Sequence, residues 1–186
     1  MNNNVITVSV LLLALTSPAA LAAEKSDYAG QEQRAIKALS ETEVADLLDG
    51  KGMGYAKAAE LNGYPGPAHV LELGDKLDLT PSQRERTQAI FDRMQASAQA
   101  LGAELVAAER ALDRAFRDRS VDESTLSERV ADIARIESRL RAVHLKAHLE
   151  LTGLLDEHQV ARYSVLRGYV GGNPHRGGHG HHQSGH

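Results

Sequence analysis

Two histidines one helical turn apart are the residues of this chain best suited to chemistry. His144 and His148 stand in the run Val143-His144-Leu145-Lys146-Ala147-His148. On a helix that spacing puts both imidazoles on one face, the arrangement in which a single helix grips Zn²⁺, Ni²⁺ or Cu²⁺. Counted at about 100° per residue from Leu140, His144 falls at about 40°, Glu137 at about 60° and His148 at about 80°. The apolar row of the same helix centres near ~10°, so His144 is expected to border the packing seam, with His148 on its edge and Glu137 continuing the flank. The spacing suits two surface residues of ordinary acidity as well, and both readings stand at this point. Two ligands alone bind weakly, so a third must come from Glu137, His69, an acid of a facing helix such as Asp92, or a partner chain.

The second concentration of imidazoles lies at the C-terminus. His175, His179, His181, His182 and His186 are spaced by Gly, Ser and Gln in the stretch 171–186, which has no apolar residue after Val170. Such a segment cannot join a core and is predicted to stay disordered. Neutral imidazoles at this density chelate divalent transition metals without a fold, and release them as they protonate below about pH 6. The predicted metal-ligating set is therefore His144, His148 and Glu137 on the helix, with the five tail histidines for capture.

Other chemistries have little to stand on. The chain has no cysteine, which excludes thiol catalysis, disulfides and Cys-ligated zinc. There is no G-x-S-x-G, no H-E-x-x-H, and no carboxylate pair whose burial can be argued, so the chain is not expected to be an enzyme. Acids outnumber Lys plus Arg by 25 to 21 for a net charge of −4, which leaves no basic excess for a nucleic acid backbone. Gly50-Lys51-Gly52-Met53-Gly54 lacks the spacing of a phosphate loop and no strand precedes it, so it reads as a turn. Phe91, Met94 and Phe116 are expected in the core, and the charged run 110–119 as a solvated helix end.

The elements that must position the histidines are helical. Aromatic residues are only 4% of the 186, and Trp is absent, a balance that favours closely packed helices over a sheet sandwich. Ser40 and Glu43 form a capping box before Val44, Leu47 and Leu48, and Thr80-Pro81-Ser82-Gln83 places a hydroxyl at N-cap, Pro at N1 and Gln at N3. From Phe91 a heptad runs through Ala98, Leu105 and Leu112, with Met94, Leu101, Ala108 and Ala115 in the second row. A matching row, Leu126, Ile133, Leu140, Ala147 and Leu154, follows a polar turn. The prediction is an all-α fold: a long antiparallel helical hairpin, about 81–117 and 122–152, flanked by short helices. Among the short helices, one is expected from His69 to Leu77 and a last one from Val160 to about Tyr169, with Asp156 and Gln159 supplying another helix start.

The N-terminus carries an address. Val5 to Leu15 is an eleven-residue apolar run followed by the small-x-small pattern Ala20-Leu21-Ala22. It is too short for a bilayer, which needs about 20 residues, and fits a signal peptide over 1–22 although no Lys or Arg precedes it. The remaining chain divides into an N-terminal segment 23–39, a helical domain 40–170 and the tail 171–186. Export as a soluble periplasmic protein is the expectation, with no transmembrane anchor after cleavage.

Leu79-Thr80-Pro81-Ser82-Gln83 and Leu155-Asp156-Glu157-His158-Gln159 resemble the LTxxQ motif of a family of periplasmic helical proteins, Asp replacing Thr in the second copy. That family includes Spy/CpxP-like chaperones and periplasmic heavy-metal sensor and resistance proteins. The segment from Ala59 to Leu71 is similar to one found ahead of the first motif in the metal-sensor branch. The resemblance implies a helical hairpin, often a dimer, and either metal sensing or ATP-independent chaperoning. In the metal-sensor branch a pair equivalent to His144 and His148 contributes ligands. The expectation is a homodimeric zinc, nickel or copper sensor or buffer. The alternative is a Spy/CpxP-type chaperone; an envelope signalling protein or unfolded clients are the expected partners, and nucleic acid is not.

Overall fold

Four helices begin on reciprocal hydrogen bonds between side chain and backbone, and these starts set the architecture. Ser40 with Glu43 opens α1 (Glu41–Leu48), Thr80 with Gln83 opens α4 (Pro81–Arg117), Asp122 with Thr125 opens α5 (Glu123–Thr152) and Asp156 with Gln159 opens α6 (Glu157–Leu166). Each box satisfies backbone N–H groups that the first turn of a helix leaves without partners. Between α1 and α4 lie the short helices α2 (Lys57–Glu60) and α3 (Pro67–Glu72), the latter with Pro at its first position. The computed structural model describes residues 25–169. The chain divides into two units, one up to Glu32 and one from Gln33 onward. In the first, Gln31 Nε2 donates to the Asp27 carbonyl at 3.1 Å. Everything below concerns the second.

The expected long hairpin is present. α4 packs along α5; α1 and α3 lie against α4, while α2 and α3 reach α5. Two apolar clusters follow one another along the hairpin. One gathers Ile36, Leu47, Ala98, Leu101, Leu105, Val106, Ile133 and Leu140. The other joins Val70, Leu77, Ile90, Ala147, Leu151, Leu155 and Tyr163, tying α3 and α6 to the hairpin's open end. Ile36 is 2% exposed, so the packed unit reaches back ahead of Ser40.

One close approach governs the α1–α4 crossing. A Cβ placed on Gly102 would lie 2.0 Å from the Leu47 carbonyl oxygen, so only glycine lets the backbones meet there. The motif glutamines supply the second lock. Gln83 Nε2 donates to Gln159 Oε1 at 2.8 Å and to the Leu154 carbonyl at 3.2 Å; Gln159 Nε2 donates to Gln83 Oε1 at 3.0 Å and to the Leu77 carbonyl at 3.2 Å. The starts of α4 and α6 are thus clamped to each other.

Several expectations are corrected. Phe116 is 54% exposed, not core, because it faces outward in the last turn of α4, beyond the reach of the flanking helices. Asp113, inside the supposedly solvated run, has a side chain only 8% exposed, held by Lys37 at 3.6 Å and Arg117 at 3.1 Å. The helix expected from His69 to Leu77 runs instead from Pro67 to Glu72. The last helix ends at Leu166 and not near Tyr169. Gly168, at φ +74°, takes the left-handed position, and Tyr169 N–H returns to the Ser164 carbonyl at 2.9 Å, closing a Schellman turn. Among the described residues, no helix is long and apolar enough to cross a membrane. The residues assigned to a signal peptide lie outside the described ones.

Candidate functional site

The 49–54 loop after α1, the segment from Ala56 to Leu61, the start of α3 and the middle of α4 enclose a cleft of about 640 Å³. α5 contributes His144 and His148 to it, and α4 contributes Phe91, Met94 and Gln95. Its walls are largely apolar.

His144 is 2% exposed. Its ring stacks on Tyr55, centroids 5.9 Å apart and planes 7° from parallel. Its Nε2 is buried and has no hydrogen-bond partner. Leaving such a group unsatisfied costs about 1–3 kcal/mol, so a partner for this nitrogen would find a prepared seat. Burial, and secondarily the neighbouring His148, hold the imidazole pKa below its ordinary value and keep it neutral.

His148 is 8% exposed and its Nδ1 lies 2.8 Å from the Tyr64 carbonyl. A carbonyl only accepts, so Nδ1 carries the proton and Nε2 is left with its lone pair. A metal-ligating histidine wants this tautomer, with the far nitrogen anchored by a fixed acceptor. Gly66 makes room for the ring: a Cβ there would sit 3.0 Å from His148 Cε1, 3.2 Å from Nε2 and 3.3 Å from Glu60 Oε2.

Glu60 stands behind His148. Its Oε1 accepts from Tyr163 Oη at 2.6 Å and Tyr169 Oη at 2.8 Å, with Arg167 Nε 3.4 Å away. Its Oε2 is buried without a hydrogen-bond partner, 3.8 Å from His148 Nδ1. Burial, with the hydrogen bond to Glu60 second, pushes the Tyr163 phenol far above its usual range, so it stays a donor.

The sequence-predicted residues divide accordingly. His144 and His148 are brought together, both deeper than the helical wheel placed them. Surface residues they are not. His69 lines the same cleft, with its Nδ1 3.1 Å from Glu72 Oε2. Asp92 is exposed and accepts from Gln88 at 2.7 Å, and it does not line the cleft. Glu137 is exposed and likewise absent from the cleft wall; its charge adds to burial in raising Tyr55 and Glu109. His175, His179, His181, His182 and His186 lie outside the described residues. Among the described residues, no three His, Asp or Glu side chains are gathered so as to hold a metal ion. Glu60 and Tyr55 escaped the sequence reading because both sit in an Ala-rich stretch with no i, i+4 partner of matching chemistry. Their partners come from α5, from α6 and from the residues just after it. Compared with protein-family models, curated proteins and solved structures, the chain matches none.

Proposed function

We propose that the chain is a periplasmic, non-enzymatic sensor or buffer for zinc, nickel or copper, with His144 and His148 as its folded ligands. One observation carries the reading. The buried, unpartnered Nε2 of His144 and the tautomer of His148 put two ring nitrogens without protein partners one helical turn apart at a cleft. The LTxxQ resemblance and the apolar run at 5–15 support the location and the class. A bound divalent ion would supply a positive charge linking α5 to whatever completes its coordination, and so would couple occupancy to packing. Calorimetric titration with zinc tests this on the full-length chain with the five tail histidines changed to Gln. Binding that persists there and disappears with His144→Ala is expected. Binding unaffected by His144→Ala and His148→Ala overturns the reading.

A Spy/CpxP-type chaperone is the second reading, favoured by Phe116 and Val130, which are 54% and 49% exposed near the turn of the hairpin. Exposed apolar side chains of this kind suit an unfolded client or a second copy of the chain. The test is suppression of aggregation of a denatured client, expected to weaken with Phe116→Ser if this reading holds.

A further inference from the structure

The cleft that holds His144 and His148 encloses about 640 Å³. That is far more than one ion fills, and it lies within the span of about 300–1,000 Å³ usual for organic ligands. One wall is fixed on α4. A Cβ on Gly50 would be 2.9 Å from the Gln95 carbonyl oxygen, and Gln95 Nε2 donates to the Asp49 carbonyl at 3.5 Å. The 49–54 loop is thereby held against the helix, so the cleft exists before anything enters it.

The lining selects the ligand. Met53 and Met94, the two methionines after Met1, both line the cleft, and Phe91 stands one turn before Met94 on α4. Thioethers are adaptable and make favourable contacts with aromatic rings, so this wall can close around one. The carboxylates of the lining, Asp49 and Glu60, balance the ammonium groups of Lys51 and Lys57. Lys51 is already held by Asp46 at 2.6 Å and Asp49 at 3.8 Å, and Lys57 is exposed. An anion entering the cleft meets a neutral imidazole and the buried Glu60 oxygen, which repels it. A cation gains little, because Arg167 already stands 3.4 Å from the Glu60 carboxylate. A neutral ligand is favoured. Its polar partner is the Nε2 of His144, buried and unpartnered in a residue 2% exposed. A hydroxyl both donates and accepts, so it satisfies that nitrogen in either tautomer of the ring.

We infer that the cleft takes a neutral aromatic molecule bearing a hydroxyl group, with its ring against Phe91, Met53 and Met94 and its hydroxyl on His144 Nε2. The inference goes beyond the metal reading and stands without it, since the ring uses the volume that an ion leaves open.

The test uses β-naphthol on the full-length protein at neutral pH with EDTA present. The chain has no Trp, so naphthol fluorescence reads binding cleanly. One molecule per chain is expected, bound about tenfold more tightly than naphthalene, β-naphthoate or β-naphthylmethylamine, the scale of one buried hydrogen bond. His144→Phe keeps an aromatic ring in place and is expected to bring β-naphthol down to the affinity of naphthalene. Ala68→Phe, at a half-buried position of α3 in the cleft wall, is expected to exclude both by filling the space. The comparison among the four ligands needs only the unaltered protein, so it stands if His144→Phe does not fold.

Three results overturn the proposal. Equal affinity for β-naphthol and naphthalene removes the hydroxyl from His144, and tighter binding of the acid or the amine makes the occupant an ion. Binding of β-naphthol that survives both His144→Phe and Ala68→Phe places the ring elsewhere. Absence of β-naphthol binding, with zinc still held through His144, ends this inference and leaves the metal reading intact. Binding of β-naphthol as expected, in a protein that takes up no zinc, supports this inference and removes the metal reading alone.

Discussion

Replacing Gly102 by alanine puts a methyl group where α1 crosses α4. The new Cβ would stand 2.0 Å from the Leu47 oxygen and 2.7 Å from its carbonyl carbon, while ordinary contact begins at 3.4 Å. Both obstructing atoms are backbone, so α1 must retreat by about 1.4 Å. Alanine improves helix propensity by about 1 kcal/mol. Overpacking of a rigid contact costs about 1–3 kcal/mol, and lifting Leu47 from the core adds a share of the ~1.5–3 kcal/mol its burial contributes. The net expectation is a loss of about 2 kcal/mol, or a melting temperature lower by about 4–8 °C. Leu47 lies two residues ahead of the 49–54 loop that walls the cleft, so zinc affinity should fall as well. Thermal unfolding followed by circular dichroism measures the first effect and calorimetry the second. Gly153→Ala is the control: its Cβ would meet the Glu150 oxygen at 3.5 Å with no left-handed backbone, so it should change stability by less than about 0.5 kcal/mol. A Gly102→Ala protein that melts at or above the parent would refute the account of the crossing.

Three further outcomes are expected. Zinc at about a hundred times its dissociation constant should raise the melting temperature by about 5–10 °C, and His144→Ala or His148→Ala should abolish the rise; a rise that survives both would place the metal elsewhere. Because burial lowers the His144 pKa, the unfolded chain takes up that proton near the ordinary value of 6.5 while the folded chain resists it. Stability from this group is therefore full above about pH 6.5 and declines as pH falls through the window below it, so urea unfolding should show a flatter acid limb in His144→Phe than in the parent. Gln83→Ala and Gln159→Ala should be non-additive, with a coupling of about 1 kcal/mol in a double-mutant cycle, and strictly additive losses would mean the reciprocal amide pair contributes nothing.

Whatever depends on neighbours three or four residues apart was legible in the sequence. Ser40 with Glu43, Thr80 with Gln83 and Asp156 with Gln159 are capping boxes because the hydrogen bonds close within one turn. The heptad rows marked α4 and α5 as long helices because an amphipathic stripe of that length has one period, and the Thr80 cap and the polar turn bounded them within a residue. The wheel also aimed His144 at the seam. It could not say what covers a direction. His148 is buried because Tyr64 and Gly66 of a distant loop lie on it, whereas Phe116, in the last turn of α4, stays 54% exposed. Gln83 and Gln159 were visible as two helix starts of one design, yet their pairing joins residues 76 apart. Glu60 became part of the site only through Tyr163 and Tyr169, more than a hundred residues away. Helix identity rests on local hydrogen bonds and period, so composition and spacing encode it. Burial and ligand geometry rest on which helices approach closest, and here a single glycine at the α1–α4 crossing and two amide clamps made that decision.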